Sequence, residues 1–126
     1  MTRNELVEFS QEFFEKCHEI MKSKNADYSG VQDDPFANFK AIEIYGIDTE
    51  VGFLTRMTDK MARIASFIKR GELMVKDESV TDTLRDLANY SMLFAAYLKS
   101  NRGRTWDKFM EAASSLNTQE NAKTNS

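Results

Sequence analysis

The segment from about Ser79 to Ser100 most constrains the fold, because it reads as a helix with apolar residues on nearly every side. Met92, Leu93, Ala96 and Tyr97 continue one face, while Leu84, Leu87, Ala88, Phe94 and Leu98 cover the others. A helix of that kind is buried, so further helices must surround it. Its opening turns are the exception. At about 100° per residue, Glu78, Asp82, Asp86 and Asn89 fall within roughly an 80° sector, upstream of apolar residues on the same face. An acidic stripe on a buried helix faces protein or a cleft. Its carboxylates then need a counter-charge, from a divalent cation or from Arg and Lys.

The rest of the chain supplies the surrounding helices, and the single proline and five glycines favour them. Thr2-Arg-Asn-Glu5 has the form of a capping box. It opens a helix to about Lys24, with Leu6, Phe9, Phe13, Cys17 and Ile20 as its stripe and Glu5, Glu8, Glu12, Glu15 and Glu19 on the reverse. Asn25 to Pro35 reads as loop. Phe36 to Tyr45 reads as a short helix, with Pro35 at its start and Gly46 as its stop. Asp48 or Thr49 caps a second long helix that ends before Gly71, where Lys69 and Arg70 complement the C-terminal dipole. A short polar link, Glu72 to Asp77, leads to the third long helix, and Thr105 caps a last one through Leu116. No strand pattern is present. The predicted architecture is all-α, an antiparallel bundle of three long helices plus short helices. It forms one domain over residues 1–116, followed by a disordered polar tail over 117–126. The short link sets the second and third helices side by side, so residues about ten before it face residues about ten after it.

A net charge of −3 with a pI near 5.2 predicts no nucleic-acid partner, which would call for a basic surplus. No apolar run approaches about 18 residues and no signal pattern is present, so no membrane partner is expected and the predicted location is cytoplasmic. A lone cysteine excludes an internal disulfide, and Cys17 on the apolar stripe reads as a buried hydrophobe. His18, the only histidine, lies off that stripe, which excludes a histidine-rich metal site and most triads. Walker-type and dinucleotide glycine patterns are absent. The third helix carries more apolar surface than a three-helix monomer covers. That predicts a homo-oligomer, dimer or tetramer, with this helix in or near the interface.

On the second helix, Arg56, Asp59, Lys60 and Arg63 share about 100° of arc, beside an apolar face of Leu54, Met57, Met61, Ile64, Ala65 and Ile68. Taken alone this is a solvated charged face. Opposite the acidic stripe, two readings stand. The basic groups neutralise the carboxylates as a structural ion network, or both serve a metal–phosphate ligand, carboxylates on the cation and Arg/Lys on the phosphate oxygens. Lys24-Asn25-Ala-Asp27-Tyr28-Ser-Gly30 is either a turn with a packed tyrosine or a ligand contact. Phe36 and Phe39 are either core residues or a platform for a base.

Lys24-Asn25-x-Asp27-Tyr28-x-Gly30, Arg56-x-x-Asp59-Lys60-x-x-Arg63 and Glu78-Ser-x-x-Asp82-Thr-x-x-Asp86-x-x-Asn89-Tyr90 together resemble the nucleotide modification associated domain family of phages and bacteria, over about residues 20–98. That family looks related to the all-α nucleoside triphosphate pyrophosphatases, the superfamily of MazG, dimeric dUTPases and dCTP pyrophosphatases. The resemblance implies a MazG-like oligomeric bundle, in the host cytoplasm if phage-encoded. It also implies Mg²⁺-dependent pyrophosphohydrolysis of a free or modified (deoxy)nucleoside triphosphate to a monophosphate and pyrophosphate. Glu78, Asp82 and Asp86 would be catalytic and, with Asp59, would hold Mg²⁺. Arg56, Lys60 and Arg63 would neutralise phosphates. Asn25, Asp27 and Tyr28, beside Lys24, would hold base or sugar, and Asn89 would orient ligand or water. The chain departs from the superfamily pattern in both elements: Asp59-Lys60-Met61-Ala62 stands where that pattern has Glu-x-x-Glu, and Thr83-Leu-Arg-Asp86, with Asp82 and Glu78 upstream, stands for its Glu-x-x-Asp. The metal arm is thinner and the basic content richer. The alternative expectation is a non-catalytic nucleotide-binding protein of phage origin that sequesters a nucleotide or regulates a partner.

Overall fold

The computed structural model describes residues 1–28, 34–71, 74–75, 78–100 and 110–118, with the backbone alone at 26–28, 74–75 and 78. The fold is all-α in its main elements, and the chain divides into two compact units, Met1–Leu93 and Phe94–Ser126.

Helix α1 spans Arg3–Tyr28. Its capping box is formed: the Thr2 N–H donates to Glu5 Oε2 at 2.7 Å and the Glu5 N–H to Thr2 Oγ1 at 3.1 Å. The helix runs past the expected end at Lys24, because Asn25-Ala-Asp-Tyr28 contains no glycine or proline to stop it. Lys24 and Asn25 therefore stand on a helix, and the Asn25 amide donates back one turn to Met21 Sδ at 3.7 Å. Helix α2, Ala37–Lys40, tightens into a 3-10 turn over Ala41–Tyr45. Asp34 organises its entry. Its Oδ1 accepts the Phe36 N–H at 2.9 Å, and its Oδ2 meets Lys40 Nζ at 2.8 Å. These contacts, the lysine first, hold the Asp34 carboxyl below the usual range.

Gly46 (φ +74°) ends the turn, and Gly71 (φ +66°) ends α3, Thr49–Arg70, with Asp48 at its N-cap. Both glycines sit in the left-handed region that side chains disfavour. The link to α4 (Val80–Ser100) holds a two-residue antiparallel pair, β1 (Met74–Val75) and β2 (Glu78–Ser79), with Met74 opposite Ser79. Two residues are too few to show the alternation that marks a strand in sequence.

In the first unit the core centres on Phe36, Phe39, Phe53 and Phe67, with Cys17. Phe39 stacks on Phe53 at 4.0 Å and 10°, and Tyr90 meets Phe39 edge-on at 6.1 Å. Phe36 and Phe39 are thus core residues. Gly52 permits this approach of α2 to α3, since a Cβ there would lie 3.0 Å from Ile42 Cδ1 and 3.2 Å from the Phe39 carbonyl oxygen. Helices α1 and α4 are tied by Asn89 Nδ2, which donates to the Cys17 carbonyl at 3.0 Å. Arg85 adds a contact over the Phe13 ring at 5.7 Å. Burial pushes the Cys17 thiol up, as expected of a packed hydrophobe. The adjacency of α3 and α4 is borne out by Lys60 and Asp86, 3.0 Å apart. Farther along α1 the stripe is uncovered, with Leu6 and Phe9 exposed.

The second unit contains the last turns of α4, where Tyr97 and Leu98 are buried, and a helix over 110–118 whose residues are all exposed. The expected cap at Thr105 and the tail beyond 118 lie outside the described residues. Among the described residues no helix is long and apolar enough to cross a membrane.

Candidate functional site

A cavity of about 120 Å³ lies in the first unit, where α1, α2, α3 and α4 converge. Its polar lining is Lys24 and Asn25 from α1, Asn38 from α2, Arg56 from α3, and Asp86 and Asn89 from α4. Met21, Pro35, Phe39, Tyr90 and Leu93 supply the apolar wall.

Asp86 is the electrostatic centre. One carboxylate oxygen receives Lys60 Nζ at 3.0 Å and the other faces Lys24 Nζ at 3.6 Å. Lys60 and Asp86 are both mostly covered, with 18% and 19% of their side chains exposed, so their attraction is less screened than that of a surface pair. Arg56 lies over the Phe39 ring at 5.7 Å and forms no ion pair among the described residues. Two lysines thus meet one carboxylate, and the lining sets Lys24 and Arg56 against Asp86, a net positive charge, while Lys60 reaches Asp86 without lining the cavity itself. Asn89 commits its amide N–H to the Cys17 carbonyl, which leaves its oxygen as an acceptor.

The remaining residues expected at the site fall into three groups. Asp82 does not line the cavity. It closes a capping box at the start of α4, where its Oδ2 accepts the Ser79 N–H at 3.3 Å and its own N–H donates to Ser79 Oγ at 3.2 Å. Its Oδ1 receives Arg85 at 2.9 Å. The Ser79 N–H, ahead of the other contacts, holds the Asp82 carboxyl below the usual range. Asp59 and Arg63 are exposed on α3 and do not line the cavity. The side chains of Glu78, Asp27 and Tyr28 lie outside the described residues.

Among the described residues no three His, Cys, Asp or Glu side chains come together as a metal cluster. Asp82 and Asp86 share a face of α4, but the first turns back to its own helix end while the second enters the cavity. Of the carboxylates expected to hold a metal, Asp86 alone lines the cavity among the described residues.

Asn38 and Tyr90, with the apolar Met21, Pro35 and Leu93, are the lining residues that sequence reasoning left out of the site. Asn38 has no spacing signal, while Tyr90 follows Asn89 within the third block. The role of Asp82 was signalled, because Ser79-x-x-Asp82 has the capping-box form.

Residues 24–99 match the family model described as nucleotide modification associated domain 1. No curated protein and no solved structure matches the chain.

Proposed function

Because the chain belongs to the nucleotide modification associated domain 1 family, we propose that its cavity binds a free nucleotide, with the phosphates on Lys24, Lys60 and Arg56. The observation that carries this reading is a cavity lining that sets two cations, Lys24 and Arg56, against one carboxylate, Asp86, which Lys60 also meets, with three amides and two aromatic side chains. Phosphate oxygens accept charge-assisted bonds from Lys and Arg, and Lys24, with 56% of its side chain exposed, is able to swing from Asp86 to an entering anion. Asn25, Asn38 and Asn89 present amide groups suited to a base or sugar. The cavity volume of about 120 Å³ is below the ~300 Å³ at which pockets enclose a whole drug-sized ligand. The remainder of a nucleotide would extend beyond it.

The finer reading is Mg²⁺-dependent pyrophosphohydrolysis at the same place. It is favoured by the entry of Asp86 into the cation-rich cavity. Asp86 would hold Mg²⁺, which would supply a Lewis acid at the phosphates. Lys60 and Arg56 would neutralise charge on the phosphate oxygens.

Calorimetry with the common nucleoside triphosphates, in EDTA and then in Mg²⁺, tests both readings. Binding is expected in EDTA. Lys60→Ala and Arg56→Ala should weaken all bases together, by ~1.5–3 kcal/mol for a charged hydrogen bond. Absence of binding by every nucleotide would remove the proposal. Release of pyrophosphate on adding Mg²⁺, lost in Asp86→Asn, marks the enzyme; recovery of intact ligand marks the binder.

A further inference from the structure

We propose that α3 pairs antiparallel with α3 of a second copy of this chain, along a seam formed by Val51, Leu54, Thr58, Met61, Ala65 and Ile68. These positions recur at alternating intervals of three and four along the 22-residue helix, which is the spacing of a coiled-coil seam. Ile47, one step upstream, continues the pattern and is exposed.

Helix α3 has three faces. Phe53 and Phe67 turn into the core of their own chain, and Arg56, Asp59 and Arg63 form a charged face. The third face carries no charge from Val51 to Ile68. Leu54 is 60% exposed, Met61 55% and Ile68 69%, and the smaller Thr58 and Ala65 between them are exposed as well. A contiguous apolar stripe of this length, about 26 Å from Val51 to Ile68 at 1.5 Å per residue, marks an interaction surface. The expectation that α4 carries the interface has weaker support, because only Leu84 and Met92 stand out on it as exposed large apolar residues.

The charges at the two ends of α3 select the occupant and its direction. Asp48 and Glu50 stand at the N-terminal end, Lys69 and Arg70 at the C-terminal end. A parallel pair would set Asp48 beside Asp48 and Lys69 beside Lys69. In the antiparallel register that places Thr58 across from Met61, Leu54 falls across from Ala65 and Val51 across from Ile68. Met61 and Leu54 then meet the smaller Thr58 and Ala65, and Val51 packs on Ile68. Asp48 and Lys69 occupy equivalent flanking positions, so Asp48 of each copy faces Lys69 of the other, twice by the two-fold symmetry of such a pair. The opposed helix dipoles are also favourable. Arg56 and Lys60 point away from the seam, so pairing leaves the cavity open.

The test is light scattering and analytical ultracentrifugation of the full chain at ten to a hundred micromolar, in low salt. The expected mass is twice 14.5 kDa. Met61→Glu should give a monomer with an unchanged far-ultraviolet circular dichroism spectrum, since the residue is exposed in the single chain. Asp48→Lys should raise the dissociation constant at least tenfold, and adding Lys69→Asp should restore it. A monomeric parent chain would overturn the proposal. So would a dimer indifferent to Met61→Glu, which places the interface elsewhere, or a charge-reversal pair that fails to recover, which removes the antiparallel register.

Discussion

Asp86 carries a charge that two lysines already satisfy, and that fixes what its removal should do. Asp86→Asn leaves Lys24 and Lys60 facing each other across a covered site. Stability should fall by about 1 kcal/mol, the scale of one partly screened charged contact, in urea denaturation. Affinity for inorganic phosphate should rise at the same time, because the cavity gains a unit of positive charge. Unchanged phosphate affinity in that variant would mean that the lysines do not address anions. The members of this cluster were legible in the sequence because charge on a helix has an angular position. Arg56 and Lys60 on one helix, with Asp86 and Asn89 on the next, could be set face to face from spacing alone. Asp82 was not separable from Asp86 by the same argument, since both occupy one stripe. What distinguishes them is the local competition for hydrogen bonds, in which the unsatisfied N–H groups of the first turn capture the earlier carboxylate. Asn38 was invisible for a different reason. It reaches the cavity only through the packing of Phe39 on Phe53, a contact between elements that no local pattern encodes.

The start of α4 is where element-scale stability should depend on pH. Ser79→Ala removes one half of the reciprocal cap and should cost about 1 kcal/mol at neutral pH. The folded chain holds the Asp82 carboxyl below its usual range, so its contribution is full above the unfolded value of about 4 and is lost as pH falls through the lower folded value. Denaturation midpoints measured from pH 6 to pH 2 should show a loss on the acid side that Ser79→Ala makes shallower. A parallel acid limb in the two proteins would assign that loss to other carboxylates. At the α2–α3 contact, Gly52→Val should cost ~2 kcal/mol or more, because its side chain meets Ile42 and the Phe39 carbonyl in a close-packed approach. Element positions were readable wherever a cap or a stop was written into the chain: Thr2 with Glu5, Gly46, Gly71. They failed where such punctuation was missing, as at the end of α1, or where the element was as short as the β1–β2 pair.

The whole molecule uses α3 twice, and the two uses should be separable. Arg56 lines the cavity and Lys60 reaches its Asp86, while Leu54 and Met61 look outward on the seam, so ligand binding and pairing stand on different faces of one helix. Both events stabilise the folded chain by mass action, with different signatures. Nucleotide at a hundred times its dissociation constant should add ~2.7 kcal/mol regardless of protein concentration. Pairing makes the melting temperature rise with protein concentration in the absence of ligand. Thermal unfolding of the parent chain should therefore show both dependences. Met61→Glu should remove the concentration dependence and keep the nucleotide increment; Arg56→Ala should do the reverse. Loss of both in Met61→Glu would mean that the cavity is complete only in the dimer, and the two faces would then act as one site. Retention of both in Arg56→Ala would take the guanidinium out of phosphate binding and leave the lysines around Asp86 to carry it.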